Sequence, residues 1–228
     1  MTALSPTLSS TGRTRLGRRS DRARRDRSDL YDVLDAGLVC HLGVIVDGSP
    51  RVLPTGYGRL GDTLYVHGSS GARSLREGPA QDVCVTVTHL DGIVIARSLY
   101  HHSLNYRSAV IYGRPRLVTD PDEKLAGLRA ITEHLAPGQW DVARKPTRKE
   151  LASSSVLAIP LEEASVKIRQ GPPGEILTRL NFAVETLHRE ETATCVLARV
   201  EHHDDGHELH YAVAGHPLPL FDSWPSMR

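Results

Sequence analysis

The sequence predicts a mainly β protein of the α+β class, built as a small antiparallel barrel of six or more strands with peripheral helices, and followed by a short helix and a β-hairpin. Three observations lead to this fold class. Short apolar runs recur along the chain, turn-forming pairs such as Asp-Gly separate them, and few segments repeat apolar residues at helical spacing. Closing the strands into a barrel would also leave no long edge exposed.

The first half of the chain begins with a helix and continues as strands joined by short turns. Ser28 is the predicted N-cap of this helix, and Gly37 ends it. Asp47-Gly48 and Asp91-Gly92 each predict a hairpin, because both residues of such a turn tolerate positive φ. Residues 69–77 are predicted to form a loop that leads into one or two helical turns. The strands predicted here are residues 38–46, 51–57, 63–67, 83–89 and 93–98.

A second stretch of strands surrounds one long helix and ends at a clear breakpoint. Asp120 opens the helix, whose leucine and isoleucine residues repeat at helical spacing until Pro137-Gly138. Residues 170–174 consist of one glutamine with glycines and prolines, which marks the end of the barrel domain. The strands predicted in this stretch are residues 108–118, 156–160 and 164–168.

The chain is therefore expected to have three parts: an arm at residues 1–27, a barrel domain at residues 28–171, and a C-terminal segment at residues 172–228. The arm holds eight arginines against Asp21 and Asp26, and such a charge can bind phosphate or nucleic acid by counterion release. It carries no interleaved aromatic residues, and no nucleic-acid-binding fold follows it. We expect a solvated or partner-docking arm and no nucleic-acid partner.

The C-terminal segment is predicted to contain a helix at residues 175–188 and two strands at residues 193–200 and 208–214. A helix and a hairpin bury little core by themselves, so this segment must dock on another surface. Four histidines lie near the hairpin turn, and we expect them to be exposed rather than to bind metal: His202, His203, His207 and His210.

Composition excludes several classes of protein. A hydrophobic fraction of 39% and a charged fraction of 24% are ordinary for a globular chain. No apolar stretch is long enough for a membrane helix, and no secretory signal is visible, so a cytoplasmic protein without a membrane partner is expected. The three cysteines are widely separated in apolar runs, which favours buried thiols over a disulfide or a zinc site.

Residues 65–74 combine glycines, serine hydroxyls and one arginine between a strand and a probable helix. Backbone amides, hydroxyls and a guanidinium group are what a phosphate monoester needs, although a solvated turn would also explain the segment.

Residues 101–108 crowd polar side chains directly before an apolar strand. They predict either a strand that lines a ligand or a surface strand, and the spacing of the histidine pair disfavours a metal.

Several of these segments, taken in order, resemble the flavin-binding split-barrel proteins related to pyridoxamine 5'-phosphate oxidase, in particular the branch that contains nitroimidazole reductases. The resemblance covers about residues 11–171. It implies a six-stranded antiparallel split β-barrel that binds FMN at a homodimer interface, with deazaflavin or haem as alternative ligands. The motifs that carry it are LDAGLVC at 34–40, PTGYGR at 54–59, LYVHGS at 64–69, RSLR at 73–76 and HSLNYRS at 102–108.

The resemblance also assigns the cofactor-binding residues. The isoalloxazine ring is expected along Leu53, Pro54 and Thr55, its phosphate and ribityl chain at His67, Gly68, Ser69 and Arg73, and further contacts at Asn105, Arg107 and Ser108. Arg73 is followed by Ser74 where the oxidases often have a lysine, so cofactor affinity is expected to be reduced. The C-terminal positions by which those oxidases hold their substrate are missing, which makes vitamin B6 oxidation a poor expectation.

Residues 174–228 resemble a fragment of the metal-dependent phosphatases that regulate bacterial sigma factors. The segments that would supply the metal-binding aspartates are missing, so phosphatase activity is not expected.

The leading hypothesis is an FMN-dependent oxidoreductase that passes a hydride from a donor such as a reduced nicotinamide to a small organic acceptor. His67 and Tyr106 are the candidates for proton delivery. The alternative is a non-catalytic flavin- or haem-binding regulatory module.

Overall fold

The computed structural model describes residues 4–94, 96, 99–171, 184–186, 198–201 and 208–209. The chain divides into two compact units, Met1–His89 with Ser108–Lys167 and Leu90–Arg107 with Ile168–Arg228. No helix among the described residues is both long enough and apolar enough to span a membrane.

Nine strands form one hydrogen-bonded sheet in the order β1-β9-β6-β5-β2-β3-β4-β8-β7. The predicted mainly β, α+β class is confirmed, but the sheet is open rather than closed into a barrel. Its outermost strands, β1 and β7, are each two residues long, so the sheet limits its exposed edge by short terminal strands instead of by closure. The strands are β1 (Ala23–Arg24), β2 (Val39–Val46), β3 (Ser49–Leu60), β4 (Thr63–Ser69), β5 (Val83–Val94), β6 (Ser103–Gly113), β7 (Arg116–Leu117), β8 (Ser154–Pro160) and β9 (Glu163–Arg169).

Within the described part of the chain, five α-helices accompany the sheet: α1 (Arg27–Ala36), α2 (Arg73–Glu77), α3 (Pro121–Leu135), α4 (Gln139–Val142) and α5 (Arg148–Ser153). Asp120 is the N-cap of α3 as predicted, since its side chain accepts a hydrogen bond from the amide of Glu123 at 2.8 Å. The predicted N-cap Ser28 is wrong, because α1 begins at Arg27 with Asp26 at the N-cap. Arg27 is buried there and donates to the carbonyl oxygen of Leu161 at 2.7 Å, which fixes it inside the fold.

The two Asp-Gly pairs behave differently. Asp47 and Gly48 have φ values of 54° and 72°, which is the two-residue turn predicted between β2 and β3. The hairpin predicted at Asp91-Gly92 is wrong, because β5 continues through both residues. Within this strand, the Asp91 carboxylate accepts hydrogen bonds from the Nε and Nη2 atoms of Arg107 at 3.0 and 2.9 Å.

Strand β6 also differs from its predicted position at residues 108–118. It begins at Ser103 and ends at Gly113, and the separate short strand β7 follows. Pro115 lies between them and lacks the amide hydrogen that a continuing ladder would need.

Strand β3 changes its partner in the middle. Residues Ser49 to Gly56 pair with β2, whereas Tyr57 to Leu60 pair with β4. Residues 49–56 of β3 stay paired with β2, and residues 67–69 of β4 stay paired with β8. The two strands therefore diverge from each other at these residues. This divergence is the feature of the fold that positions the predicted cofactor-binding residues.

Helix α3 packs directly on β3 and β4 through two glycines. A Cβ atom at Gly58 would lie 2.4 Å from the backbone carbonyl carbon of Ala130, and one at Gly127 would lie 2.8 Å from the ring of Tyr65. Ile131 packs in the same buried cluster as Tyr65. The helix thus holds the β3–β4 hairpin in place by backbone contact as well as by apolar burial.

The C-terminal half of α1 is stabilised by polar side chains from three other elements. Tyr57 donates its buried hydroxyl to the carbonyl oxygen of Leu34, and ring nitrogens of His89 and His134 bond to the carbonyl oxygens of Val33 and Gly37. The His89 contact measures 2.9 Å. Carbonyl groups at a helix end need such partners when they are buried.

The C-terminal segment contains three short strands, β10 (Val184–Thr186), β11 (Ala198–Glu201) and β12 (Glu208–Leu209), paired in that order. The helix predicted over residues 175–188 is wrong at β10, and its other residues lie outside the described part of the chain. The predicted hairpin is confirmed by the antiparallel pairing of β11 with β12. Its histidines at 202, 203, 207 and 210 also lie outside the described residues.

Candidate functional site

The predicted ring-binding residues lie on β3 just before it changes partner. Leu53, Pro54 and Thr55 pair with Leu42, His41 and Cys40 of β2. Within the described residues, no strand pairs with the other edge of this part of β3. Pro54 is compatible with this arrangement, because a residue without an amide hydrogen is tolerated at a strand edge. The result is an open backbone edge beside the divergence of β3 and β4.

The predicted phosphate-binding residues begin at the end of β4, the neighbouring strand. His67, Gly68 and Ser69 pair there with β8 rather than with β3. The His67 side chain is exposed, and the protein around it still desolvates the ring enough to lower its pKa below the ordinary value of 6.5. Its ring makes no hydrogen bond within the described part of the chain, so a neutral imidazole with both nitrogens available lies at this edge.

Gly68 has a packing role. A Cβ atom at this position would lie 2.9 Å from Cδ1 of Leu75 in helix α2. The glycine is therefore explained by the close packing of α2, whether or not a ligand approaches it.

The loop between β4 and α2 satisfies most of its amides internally. The amide of Ser70 donates to the carbonyl oxygen of Ser153 at 2.9 Å, and that of Ala72 to the carbonyl oxygen of Ser69 at 2.9 Å. The amide of Gly71 donates to the Ser69 hydroxyl at 3.2 Å. These three groups would have to rearrange before they could bind a phosphate.

Arg73 is also engaged in this structure. Its two terminal nitrogens donate to both carboxylate oxygens of Asp47, and its Nε donates to Glu77 at 3.3 Å. The guanidinium predicted to bind phosphate is thus neutralised by two carboxylates. Asp47 and Glu77 were not identified from the sequence as parts of the site. The spacing of four residues between Arg73 and Glu77 on a helix was the available signal, whereas nothing in the sequence linked Asp47 to Arg73.

The remaining predicted residues lie on β6, with Asn105 and Arg107 in the second compact unit and Ser108 in the first. Arg169 donates to the side-chain oxygen of Asn105, Arg107 pairs with Asp91, and the Ser108 hydroxyl donates to the carbonyl oxygen of Lys167 at 3.3 Å. Each of these three side chains therefore has a partner within the chain.

Tyr106 differs from its neighbours on β6. Its side chain is half-buried, and its hydroxyl makes no hydrogen bond to any residue in the described part of the chain. A half-buried hydroxyl normally has a partner. The two candidates for proton delivery, His67 and Tyr106, thus both have unpartnered polar atoms, in contrast to Arg73, Asn105 and Arg107.

Comparison with known proteins places the chain in a family. The sequence model of the pyridoxamine 5'-phosphate oxidase family matches residues 26–168. This chain belongs to that family of flavin-binding split-barrel proteins, as the motifs between residues 34 and 108 predicted.

Two solved structures are similar over nearly the whole chain. The flavocytochrome Anf3 of Azotobacter vinelandii is 32% identical, with 96% of this chain and 93% of that chain covered and a TM-score of 0.71. The FAD- and haem-binding protein of Mycobacterium smegmatis is 30% identical, with 87% and 94% covered and a TM-score of 0.65. A likeness over 96% of the chain extends well into the C-terminal segment.

A 5-nitroimidazole antibiotic resistance protein described from Bacteroides thetaiotaomicron shares the fold, at 21% identity, coverage of 64% of this chain and 86% of that chain, and a TM-score of 0.54. The sequence model of stage II sporulation protein E matches residues 151–223, in agreement with the predicted likeness of the C-terminal segment to a regulatory phosphatase. No curated protein matches the chain.

Proposed function

We propose that this protein is a flavin-dependent oxidoreductase that moves electrons from a donor such as a reduced nicotinamide to a small organic acceptor. The observation that carries the proposal is the likeness, at 32% and 30% identity over most of the chain, to two proteins named for binding flavin. The flavin, FMN in our first expectation and FAD in the name of one relative, supplies hydride chemistry when bound. The chain supplies binding, orientation and protons.

The open edge of β3 supports the position proposed for the flavin ring. The amides and carbonyl groups of residues 53–55 that face away from β2 are unpaired by any described strand, and planar ligands with polar edges bind such groups. Ser69 and Arg73 would hold the phosphate. Arg73 must leave Asp47 to do so.

A homodimer is part of the proposal. Val39, Ile45 and Val52 are 48%, 44% and 66% exposed, and the register of β2 with β3 puts them on one face. Exposed apolar side chains grouped on a sheet face are typical of a protein interface. A second copy of the chain is the occupant proposed for this face.

The chain's own acid–base groups are His67 and Tyr106. The lowered pKa of His67 keeps its imidazole neutral at neutral pH, and the Tyr106 hydroxyl has no protein partner among the described residues. Either group would hold or deliver a proton as an acceptor is reduced.

A haem-binding role is the second candidate, because both similar proteins of at least 30% identity bear names that include a cytochrome or a haem. A haem needs an axial side chain such as histidine. His102 fits poorly, since its Nδ1 accepts the amide of Ala96 at 3.0 Å, which places the proton of a neutral ring on Nε2. His67 fits better, because neither of its ring nitrogens is engaged within the described residues.

The absorbance spectrum of the purified full-length protein, followed by identification of the extracted cofactor by mass spectrometry, tests both candidates. Flavin bands that bleach when NADH or NADPH is added without oxygen would support the oxidoreductase. A Soret band that is lost in His67→Ala and retained in His102→Ala would support haem ligation by His67. A flavin that binds but is never reduced would favour the non-catalytic module. A protein that binds neither FMN, FAD nor haem after reconstitution would overturn the proposal.

A further inference from the structure

The arginine-rich arm borders an open-sided cavity of about 340 Å³ against strand β9. The cavity lies between the outgoing part of the arm, around residues 7–16, and its return, around residues 20–25. None of its lining residues is involved in the proposed flavin site. The lining residues that matter here are Leu8, Ser10, Arg15, Leu16 and Arg25.

The walls of this arm cavity are held by hydrogen bonds on both sides. The amide of Leu8 donates to the carbonyl oxygen of Arg25 at 2.7 Å, which joins the outgoing and returning parts of the arm. The Ser9 hydroxyl accepts the amide of Ala164 at 3.1 Å, and β1 pairs with β9 at Arg24 and Val166. The cavity is therefore a built feature of the fold rather than a gap beside a loose chain end.

A separate ion-pair cluster anchors the arm. Arg13 donates to Asp82 at 2.8 Å and to Glu163, and its guanidinium lies 5.0 Å from the ring centre of Tyr112. None of these residues lines the cavity. Asp82 and Glu163 are thus engaged by Arg13.

The arginines of the cavity have no such partners. Arg15 and Arg25 form no ion pair or side-chain hydrogen bond within the described residues, and no aspartate or glutamate lines the cavity. Arg24 also lines it and interacts electrostatically with Asp29. The hydroxyl of Ser10 lacks a hydrogen-bond partner among the described residues. Unpaired guanidinium groups beside free hydroxyls provide donors suited to a phosphate group.

Part of the cavity wall is apolar. Leu8 and Leu16 line it, and Leu16 keeps part of its side chain accessible. Cavities of this size bind small organic molecules, with apolar walls that hold a flat group and a few polar donors that fix its charged end. A bare anion would leave the apolar wall unused, and a polyanion would need a longer basic surface.

We propose that the arm cavity binds a phosphorylated organic molecule of nucleotide size, with the phosphate at Arg15 and Arg25 and the organic part against Leu8 and Leu16. The site is independent of the proposed flavin site, so either proposal can fail alone.

Isothermal titration of the purified full-length protein with AMP, adenosine and inorganic phosphate tests this proposal, while the absorbance of any bound flavin is recorded in the same samples. AMP is expected to bind at least about tenfold more tightly than adenosine or phosphate, because both halves of the cavity contribute. Equal affinity for AMP and adenosine, or no detectable AMP binding, would overturn the proposal. Release of bound flavin by AMP would also overturn it, since AMP would then occupy the flavin site.

A matched pair of double variants separates the cavity from the general charge of the arm. R15Q/R25Q removes two lining arginines and is expected to weaken AMP binding by at least about tenfold. R18Q/R19Q removes the same charge from arm residues that do not line the cavity, and is expected to weaken AMP binding by less than about threefold. If both double variants weakened AMP binding equally, the arm would act as a general basic surface and the proposal would be overturned. Tighter binding of a single-stranded oligonucleotide than of AMP would support that conclusion. Equal melting temperatures would show that both variants fold.

Discussion

The Arg73 guanidinium donates to both carboxylate oxygens of Asp47, which occupies the β2–β3 turn with a φ of 54°. Arg73 is the cation that the motif RSLR assigns to the flavin phosphate, so this carboxylate competes with the cofactor for the same donors. The pair is largely exposed, with side-chain accessibilities of 58% and 47%, and exposed pairs contribute little to stability. Breaking it should therefore affect cofactor affinity more than folding.

Asp47→Asn is expected to bind FMN about two- to fivefold more tightly than the natural sequence, because it frees Arg73 and removes a nearby negative charge. Asparagine keeps the turn, since it tolerates positive φ as aspartate does. Fluorescence titration with FMN measures the effect. Asp35→Asn is the matched control, because it releases Arg59 at a different ion pair and should leave FMN affinity unchanged. If Asp47→Asn and Asp35→Asn bind FMN equally, Arg73 does not bind the phosphate.

Gly58→Ala is expected to destabilise the fold by about 1–3 kcal/mol or more. Its Cβ atom would lie 2.4 Å from the carbonyl carbon of Ala130, and only a shift of helix α3 relieves a contact with backbone atoms. Urea unfolding followed by circular dichroism measures the change. Gly17→Ala is the control, because a Cβ atom there has no neighbour within 4 Å. If the two variants had the same unfolding midpoint, the close backbone contact between α3 and β3 at Gly58 would be contradicted.

The sequence correctly predicted the turn and the helix cap that are determined by residues close together in the chain. Asp47-Gly48 turned as expected because both residues adopt positive φ, and Asp120 capped α3 because its side chain reaches the amide three residues on. Thr147 and Glu150 form a capping box at the start of α5, a pattern that was present in the sequence although the helix was not predicted.

The errors have both local and long-range causes. Pro115, which follows the end of β6, was visible in the sequence, whereas Asp91-Gly92 carries the same turn signal as Asp47-Gly48 and nevertheless lies inside β5. The site shows the same limit: motif comparison located Arg73 and Asn105, whereas Asp47 and Arg169, which engage them, lie 26 and 64 residues away in the chain. No spacing rule connects residues so far apart, so these contacts emerged only from the three-dimensional structure.

Acidification is expected to loosen the arm. Hydrogen bonds from Arg13 and then Thr11 lower the pKa of Glu163 below its ordinary value of 4.5. A carboxyl group whose pKa is lowered in the folded state stabilises it above pH 4.5, and this contribution is lost as the pH falls from 4.5 through the lower folded value. The hydrogen-exchange protection factors of residues 8–16, each corrected for the intrinsic exchange rate at that pH, should therefore fall over that interval, with little change between pH 5 and pH 7.

The variant Glu163→Gln tests this at neutral pH. It should make the arm more susceptible to trypsin, whose sites include Arg15 and Arg18, because Arg13 loses its main anchor. Glu150→Gln is the control, since Glu150 pairs with Arg144 at the start of α5 rather than with the arm. Equal rates of arm cleavage in both variants would contradict the anchoring role of Glu163.

Cys40 is expected to resist alkylation in the folded protein. Burial raises the pKa of its thiol to about 12, so almost no reactive thiolate is present at neutral pH. Iodoacetamide labelling followed by peptide mass spectrometry should leave Cys40 unmodified until denaturant is added, while the half-buried Cys84 provides an internal comparison. Rapid labelling of Cys40 under native conditions would show that β2 opens readily.

His67 makes a distinctive prediction for the pH dependence of turnover. Desolvation lowers its pKa below 6.5, so the imidazole is neutral at pH 7 and becomes a proton donor only as the pH falls through its lowered pKa. If the protonated ring delivers the proton to the acceptor, kcat/KM should rise as the pH falls below 6.5. His67→Gln should lose this rise when it is assayed with flavin at saturating concentration, because His67 is also among the residues assigned to the flavin phosphate. If Tyr106 delivers the proton instead, Tyr106→Phe should lower turnover, because the donating hydroxyl is removed, and the rise at low pH should remain. Stopped-flow reoxidation of the reduced protein by a nitroaromatic acceptor distinguishes the two, and full turnover in both variants would remove both residues from the reaction.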